Sequence, residues 1–389
     1  MPQNDPLDFL QVDAQLSDEE RTVRDRVQAF VAEHVLPNIE GWFERGEFPL
    51  ELSEGFGELG VLGMHLDGYG CAGSSAVEYG IANREIEYGD SGLRSFVSVQ
   101  GSLAMFPIHA YGSEEQKQAW LPRMATGEAI GCFALTEPEA GSDPAAMTTT
   151  ARRDGSDWIL SGHKRWNTNG WVSHVAIVWA KDEAGVVRGF IVPSDTPGVE
   201  FRELEHAWSL RAAARSELFL RDVRLPADAV LPGVEGMKGP LSCLTEARFG
   251  IAWGTVGAAR ACFEAALEHA KTRVQFGKPI GSFQLIQAKL TEMALELNKA
   301  SLLALHLGRM KDEGTATHEQ ISMAKLNNAR SALATAREAR GVLGANGITF
   351  DTPVIRHMNN LESVITYEGT EEIHTLIVGA ALTGLRAFD

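Results

Sequence analysis

Ser17 and Glu20 stand at capping-box spacing ahead of Val23, Val27, Phe30 and Val31, and those intervals predict an amphipathic helix that Pro37 closes. Ser113 with Gln116 predicts a second capped helix, running to Leu121 and stopping at Pro122. From about residue 126 the period shortens. Residues 174–180 and 186–192, rich in β-branched and aromatic side chains, flank turn residues 182–185 and predict a hairpin. Further runs at 158–161, 199–202 and 217–225 follow at short intervals, which favours a compact antiparallel barrel or sandwich over βαβ units. Ala- and Leu-rich stretches at 241–273, 283–312, 317–343 and 369–387 then predict long helices. In the second of these, Leu290, Ala294, Leu297 and Ala304 share one face, as a packed bundle helix requires. The predicted fold is α+β and mainly α: a helical unit over 1–125, a β unit over 126–240 and a helical bundle over 241–389.

Composition narrows the class. The chain has 389 residues, 44% hydrophobic and 22% charged, which fits a folded globular protein of two or three domains. With 52 acidic against 35 basic side chains the net charge is -17, which repels a phosphate backbone and argues against nucleic acid. Cys71, Cys132, Cys243 and Cys262 form no CxxC pair and no disulfide framework, nor is there any metal-ligand spacing. The first ten residues are polar and acidic, unlike a secretory or transit leader, and no uninterrupted apolar run is long enough for a membrane span. The expectation is a cytosolic protein of bacterial type.

Common cofactor signatures are missing. There is no GxxxxGK[ST] or HExxH, and Gly341, Gly344 and Gly347 form GxxGxxG with no strand before them. Three segments place charges, Trp and paired glycines beside apolar runs: 135–143 (LTEPEAGSD), 164–170 (KRWNTNG) and 366–374 (TYEGTEEIH). In this order, and with 273–279 (RVQFGKP), they resemble the signatures of the acyl-CoA dehydrogenase family of flavoenzymes over nearly the whole chain. Residues 91–108 (SGLRSFVSVQGSLAMFPI) and 355–379 (IRHMNNLESVITYEGTEEIHTLIVG) resemble its glutaryl-CoA dehydrogenase branch. The resemblance implies an N-terminal helical domain, a central antiparallel β-barrel domain and a C-terminal four-helix bundle, assembled as a homotetramer. It also implies FAD, an acyl-CoA substrate and an electron-transfer flavoprotein as electron acceptor.

By that resemblance Glu368, flanked by Tyr367 and Gly369, is the base that removes the α-proton, a task for which burial raises a carboxylate toward working pH. Its backbone N–H and a flavin hydroxyl would hold the thioester oxygen where enolate charge develops. The flavin set maps onto Phe133, Leu135, Thr136, Ser142, Trp166 and Thr168. Arg273, Gln275, Phe276 and Gln284 correspond to a segment reaching FAD from a neighbouring subunit, Gly344, Asn346 and Gly347 to a close-approach loop, and Thr370 with Glu372 completes the set. Ser142, Leu241 and Arg248 match CoA contacts.

Arg94 separates the substrate classes. In a pocket for an apolar tail a buried Arg lacks a partner, whereas a distal carboxylate supplies one. In the glutaryl branch this Arg binds that carboxylate beside Ser95 and Glu87, both present at matching spacing. The implied reaction is oxidative decarboxylation of glutaryl-CoA to crotonyl-CoA and CO2. Leu93, Asn167 and the Glu371–Glu372 pair depart from the branch pattern. Two alternatives stay open: a non-decarboxylating dehydrogenase for another short-chain or dicarboxylyl-CoA, and a retired scaffold that only binds acyl-CoA.

Overall fold

The structure is a computed structural model and describes residues 5–387, so the first four positions of the polar N-terminal stretch and the last two of the C-terminal unit lie outside the described residues. The chain opens with α1 (Asp18–Phe30), whose Ser17 and Glu20 exchange both capping bonds, and continues through one π-helical stretch, Val31–Val35, before Pro37. Next come α2 (Ile39–Arg45), α3 (Leu52–Leu59), α4 (Ala76–Gly89), α5 (Ser91–Ser98), α6 (Phe106–Tyr111) and α7 (Glu114–Ala125). The helix expected to stop at Pro122 runs on to Ala125. A proline in the last turn forfeits only its own N–H bond, and buried Leu121, Met124 and Ala125 keep that turn on the core.

Seven strands follow: β1 (Gly131–Ala134), β2 (Thr150–Asp154), β3 (Asp157–Thr168), β4 (Val175–Lys181), β5 (Val187–Pro193), β6 (Val199–Glu203) and β7 (Arg215–Leu225). They form one curled sheet in the order β1-β4-β2-β3-β7-β6, with β5 also on β4. The expected hairpin is β4–β5, in register from Val175 with Pro193 to Lys181 with Val187. The sheet is not wholly antiparallel, since β1 and the start of β2 pair with β4 in parallel. The long connection between β1 and β2 permits that, whereas a hairpin turn does not.

The C-terminal unit holds α8 (Lys238–Thr272), a small ribbon of β8 (Val274–Gln275) and β9 (Lys278–Pro279), then α9 (Gln284–Asp312), α10 (His318–Leu343), α11 (Val354–Val364) and α12 (Glu371–Thr383). Buried side chains of α1, α4, α5, α8, α9, α10 and α11 form one core that joins the two helical units. At its centre twelve of the fourteen α4 residues and all of α5 are buried, so every polar group there needs an internal partner or a ligand. No helix among the described residues is long and apolar enough to cross a membrane.

Candidate active site

Asp90 ends α4 and caps α5, its carboxylate accepting from Gly92 N–H at 2.6 Å. Arg356 Nη1 (2.7 Å) and Asn360 Nδ2 (2.8 Å) of α11 donate to its other oxygen, fixing where α5 starts. Arg94, one turn into α5, is wholly buried. Its Nε donates to buried Glu87 Oε2 at 2.6 Å and its Nη2 to the Tyr367 hydroxyl, while Ser91 Oγ donates to the other Glu87 oxygen at 2.8 Å. Although burial opposes its charge, Tyr367 and Glu87 hold the guanidinium above its ordinary pKa. Three buried atoms beside this network, Arg94 Nη1, Ser95 Oγ and Glu368 Oε2, have no partner among the described residues. On α8, Gly254 faces the ion pair so closely that a Cβ there collides with Glu87 Oε2 and comes within 3.1 Å of Arg94 Nε.

Glu368 lies between α11 and α12 with φ of +53°, followed by Gly369 at +101°. The left-handed region costs a non-glycine residue about 1–3 kcal/mol, so the surroundings must impose it. Arg248 Nε of α8 donates to the Glu368 carbonyl at 2.7 Å. Lys325 Nζ of α10 donates to the carbonyls on either side, Tyr367 at 3.1 Å and Gly369 at 2.9 Å. Glu368 is half-buried as a residue, but Oε2 is sealed from solvent. Burial raises its pKa above the ordinary carboxylate value, and the charges of Arg94, Arg248 and Lys325 oppose that rise. The Glu368 N–H bonds to no acceptor of the described chain.

The expected flavin positions gather around β1 and β3. Buried Lys164 donates to the Leu135 carbonyl at 2.9 Å and to Glu137 at 3.0 Å, and Arg165 N–H donates to the Thr136 carbonyl at 2.8 Å. The loop after β1 is thereby tied to β3, which brings Leu135 and Thr136 beside Trp166 and Thr168. A register shift between Lys164 and Asn167 gives Trp166 φ of +66° and leaves its indole 57% exposed. Buried Asn169 Nδ2 donates to the carbonyls of Phe96 in α5 and Gly131 in β1, linking this strand to the Arg94 helix. Phe133 lies under the sheet against Trp179, and Ser142 is exposed in the loop after Leu135.

The remaining positions lie apart on the surface. Arg273, Gln275 and Phe276 are exposed on the β8–β9 ribbon, Phe276 by 93%, and Arg273 forms no ion pair among the described residues. Gln284 begins α9, Gly344 and Asn346 are exposed after α10 with Gly347 buried behind them, and Glu372 is exposed on α12. Thr370 caps α12, accepting from Ile373 N–H at 3.3 Å. Leu241 is 40% exposed at the start of α8, whereas Arg248 points inward to the Glu368 loop. Lys325 escaped the sequence reading. Its signal was its place among Ile321, Ala324, Asn328, Ala329 and Ala332, all on the buried face of α10. His374, buried behind Gly369 with both ring nitrogens unpartnered, escaped likewise.

Models of the N-terminal, middle and C-terminal domains of acyl-CoA dehydrogenases match residues 17–128, 132–223 and 235–383. The crystal structure of glutaryl-CoA dehydrogenase from Mycobacterium smegmatis shares 58% identity with the chain at a TM-score of 0.98, covering 100% of both. A glutaryl-CoA dehydrogenase structure from the same organism in complex with FADH2 shares 57% identity at a TM-score of 0.97, covering 99% of each chain. Human mitochondrial short-chain specific acyl-CoA dehydrogenase is 36% identical over 342 residues, 86% of this chain and 83% of that protein.

Proposed function

Because the chain belongs to the acyl-CoA dehydrogenase family, we propose that it oxidises glutaryl-CoA in an FAD-dependent reaction and releases CO2 to leave crotonyl-CoA. The observation that carries this reading is buried Arg94, with Nη1 unpartnered beside Ser95 Oγ and its neighbours Glu87 and Tyr367 already bonded. An apolar acyl tail leaves that donor unpaired at a cost of about 1–3 kcal/mol, more for a charged group, while a distal carboxylate satisfies it. The 58% identity with a glutaryl-CoA dehydrogenase supports the same substrate.

The residues suit a flavin: an exposed indole at a strand bulge, two threonines next to it, and an unpaired exposed Arg273 of the charge a pyrophosphate needs. Phe133, Leu135, Thr136, Ser142, Trp166 and Thr168 would hold FAD from this chain. Arg273, Gln275, Phe276, Gln284, Gly344, Asn346, Gly347, Thr370 and Glu372 form the set expected to complete a site between chains of a homotetramer. When bound, FAD supplies the acceptor for the β-hydride, and an electron-transfer flavoprotein is the proposed electron acceptor of the reduced cofactor.

Glu368 takes the α-proton. Its raised pKa makes the carboxylate a stronger base than an exposed one, and the three nearby cations keep the ionised form accessible. Its free N–H donates to the thioester oxygen as enolate charge grows, a contact worth about 3–4 kcal/mol in comparable sites. Arg94 and Ser95 orient the far carboxylate, which sets the α-carbon over Glu368. Oxidation places that carboxylate on the γ-carbon of an α,β-unsaturated thioester. Its C–C bond can then break with the electron pair delocalised to the same oxygen, and the protonated Glu368 returns its proton to the γ-carbon.

The test is anaerobic mixing of the FAD-loaded protein with glutaryl-CoA, following visible flavin absorbance and trapped CO2. Bleaching with one CO2 per flavin is expected. Bleaching without CO2 identifies a non-decarboxylating dehydrogenase, and no bleaching identifies a protein that only binds acyl-CoA.

A further inference from the structure

Lys325 is a buried cation that enters the steps above only through its charge, and its hydrogen bonds are left unused there. It lies on the inward face of α10, only 1% exposed, and has no carboxylate within ion-pair distance among the described residues. An ammonium taken out of water without a counter-ion costs several kcal/mol, so its acceptors must account for its place. Those acceptors are the Tyr367 and Gly369 carbonyls, with Arg248 on the Glu368 carbonyl between them. Three successive carbonyls thus end on two cations, and the residue in the middle is the strained Glu368. The Glu368 N–H has no backbone acceptor among the described residues.

We propose that Lys325 is a positioning residue for the α-proton transfer: it clamps the carbonyls on both sides of Glu368, holds the left-handed turn that aims the carboxylate and N–H at the substrate, and favours the ionised base by its charge. This rests on Glu368 being the base. The charged or titratable groups facing the loop are Arg94 from α5, Arg248 from α8, Lys325 from α10, and Glu371 and His374 from α12. Burial, helped by the charges of Arg248 and Arg94, pulls the Lys325 ammonium down to about 7 against the opposing pull of Glu368 and Glu371.

Lys325→Met removes donor and charge, whereas Lys325→Gln keeps an N–H donor and removes only the charge. Both are made as FAD-loaded protein, checked by flavin spectrum, melting temperature and crotonyl-CoA binding, and assayed for anaerobic flavin reduction by glutaryl-CoA across pH. The methionine variant should bind crotonyl-CoA like the parent yet reduce flavin at least about tenfold more slowly, since small misplacements of a catalytic group cost up to about a hundredfold. In both variants the acidic limb of the rate profile should move to higher pH, because a lost cation raises the Glu368 pKa. Glutamine should recover part of the rate but not the limb. Parent-like rates, or slow rates with an unmoved limb, overturn the proposal. Should the methionine variant fail to hold FAD, the limb in the glutamine variant decides alone. Glu368→Gln separates the two claims: if it still reduces flavin normally the base assignment fails, and if it is inert while both Lys325 variants are parent-like only Lys325 fails.

Discussion

The two ends of the candidate site are finished to different degrees. Around Arg94 and Glu368 the polar groups are buried and bonded across α4, α5, α8, α10 and the loop before α12, and several buried atoms, among them Arg94 Nη1, Ser95 Oγ and Glu368 Oε2, have no partner among the described residues. Around Arg273 and Phe276 the side chains reach into solvent and touch little of their own chain. The proposed proton transfer would be built on buried helices. The end proposed to retain the cofactor is an open surface that a second chain of the proposed tetramer would complete.

The first way to break this contrast is to remove the proposed base. Glu368→Gln keeps the shape of the buried end and should slow anaerobic flavin reduction by about 10²–10⁴-fold, with FAD content unchanged by absorbance. Second, Arg94→Met should lower kcat/KM for glutaryl-CoA at least about tenfold, from about 1.5–5 kcal/mol of lost carboxylate stabilisation, while butyryl-CoA falls much less, since only the stranding of Glu87 is common to both. An equal fall for both substrates would make Arg94 structural. Third, Arg273→Ala should spare the buried end and weaken FAD retention together with assembly, read by gel filtration with detection at the flavin wavelength. Full occupancy in an unchanged oligomer would detach Arg273 from the cofactor.

The smallest effect sharpens the comparison through pH. The folded pKa of Glu368 is raised, so the native state binds its proton more tightly than the unfolded chain does. This group's contribution to stability is therefore fully present below the unfolded carboxylate value and is lost as pH rises through the folded one. Glu368→Gln lacks that loss. Its melting temperature relative to the parent should climb across that window and level off above it, and a flat difference would contradict the raised pKa.

Much of the frame could be read from sequence because it is local: the Ser17–Glu20 and Ser113–Gln116 boxes and the β4–β5 hairpin are each encoded within about twenty residues. α11 was not seen as a separate element, being a short amphipathic helix embedded in a segment whose chemistry drew the reading. Glu87 and Arg94 were legible as a pair only through resemblance, since a helix break at Asp90 separates them and periodicity cannot carry a face across it. The meeting of Arg94 with Tyr367, 273 positions away, comes from the fold alone. Lys325 shows the converse failure. Its helical face marked it as buried, but its partners are backbone carbonyls, which leave no trace in residue identity.

Gly254 carries a historical consequence. Its missing side chain makes room for the Glu87–Arg94 pair, so on the proposed function the choice of acyl group would be written at three positions on three helices. Replacing Arg94 alone strands a buried carboxylate, and replacing Glu87 alone strands a guanidinium, each at about 3–5 kcal/mol. Enlarging position 254 first collides with Glu87 and crowds Arg94. A descendant turning to apolar acyl chains cannot make the exchange in single neutral steps. It must cross a valley of weakened proteins or carry spare stability into the crossing, and that barrier would preserve the proposed substrate preference apart from any selection for it.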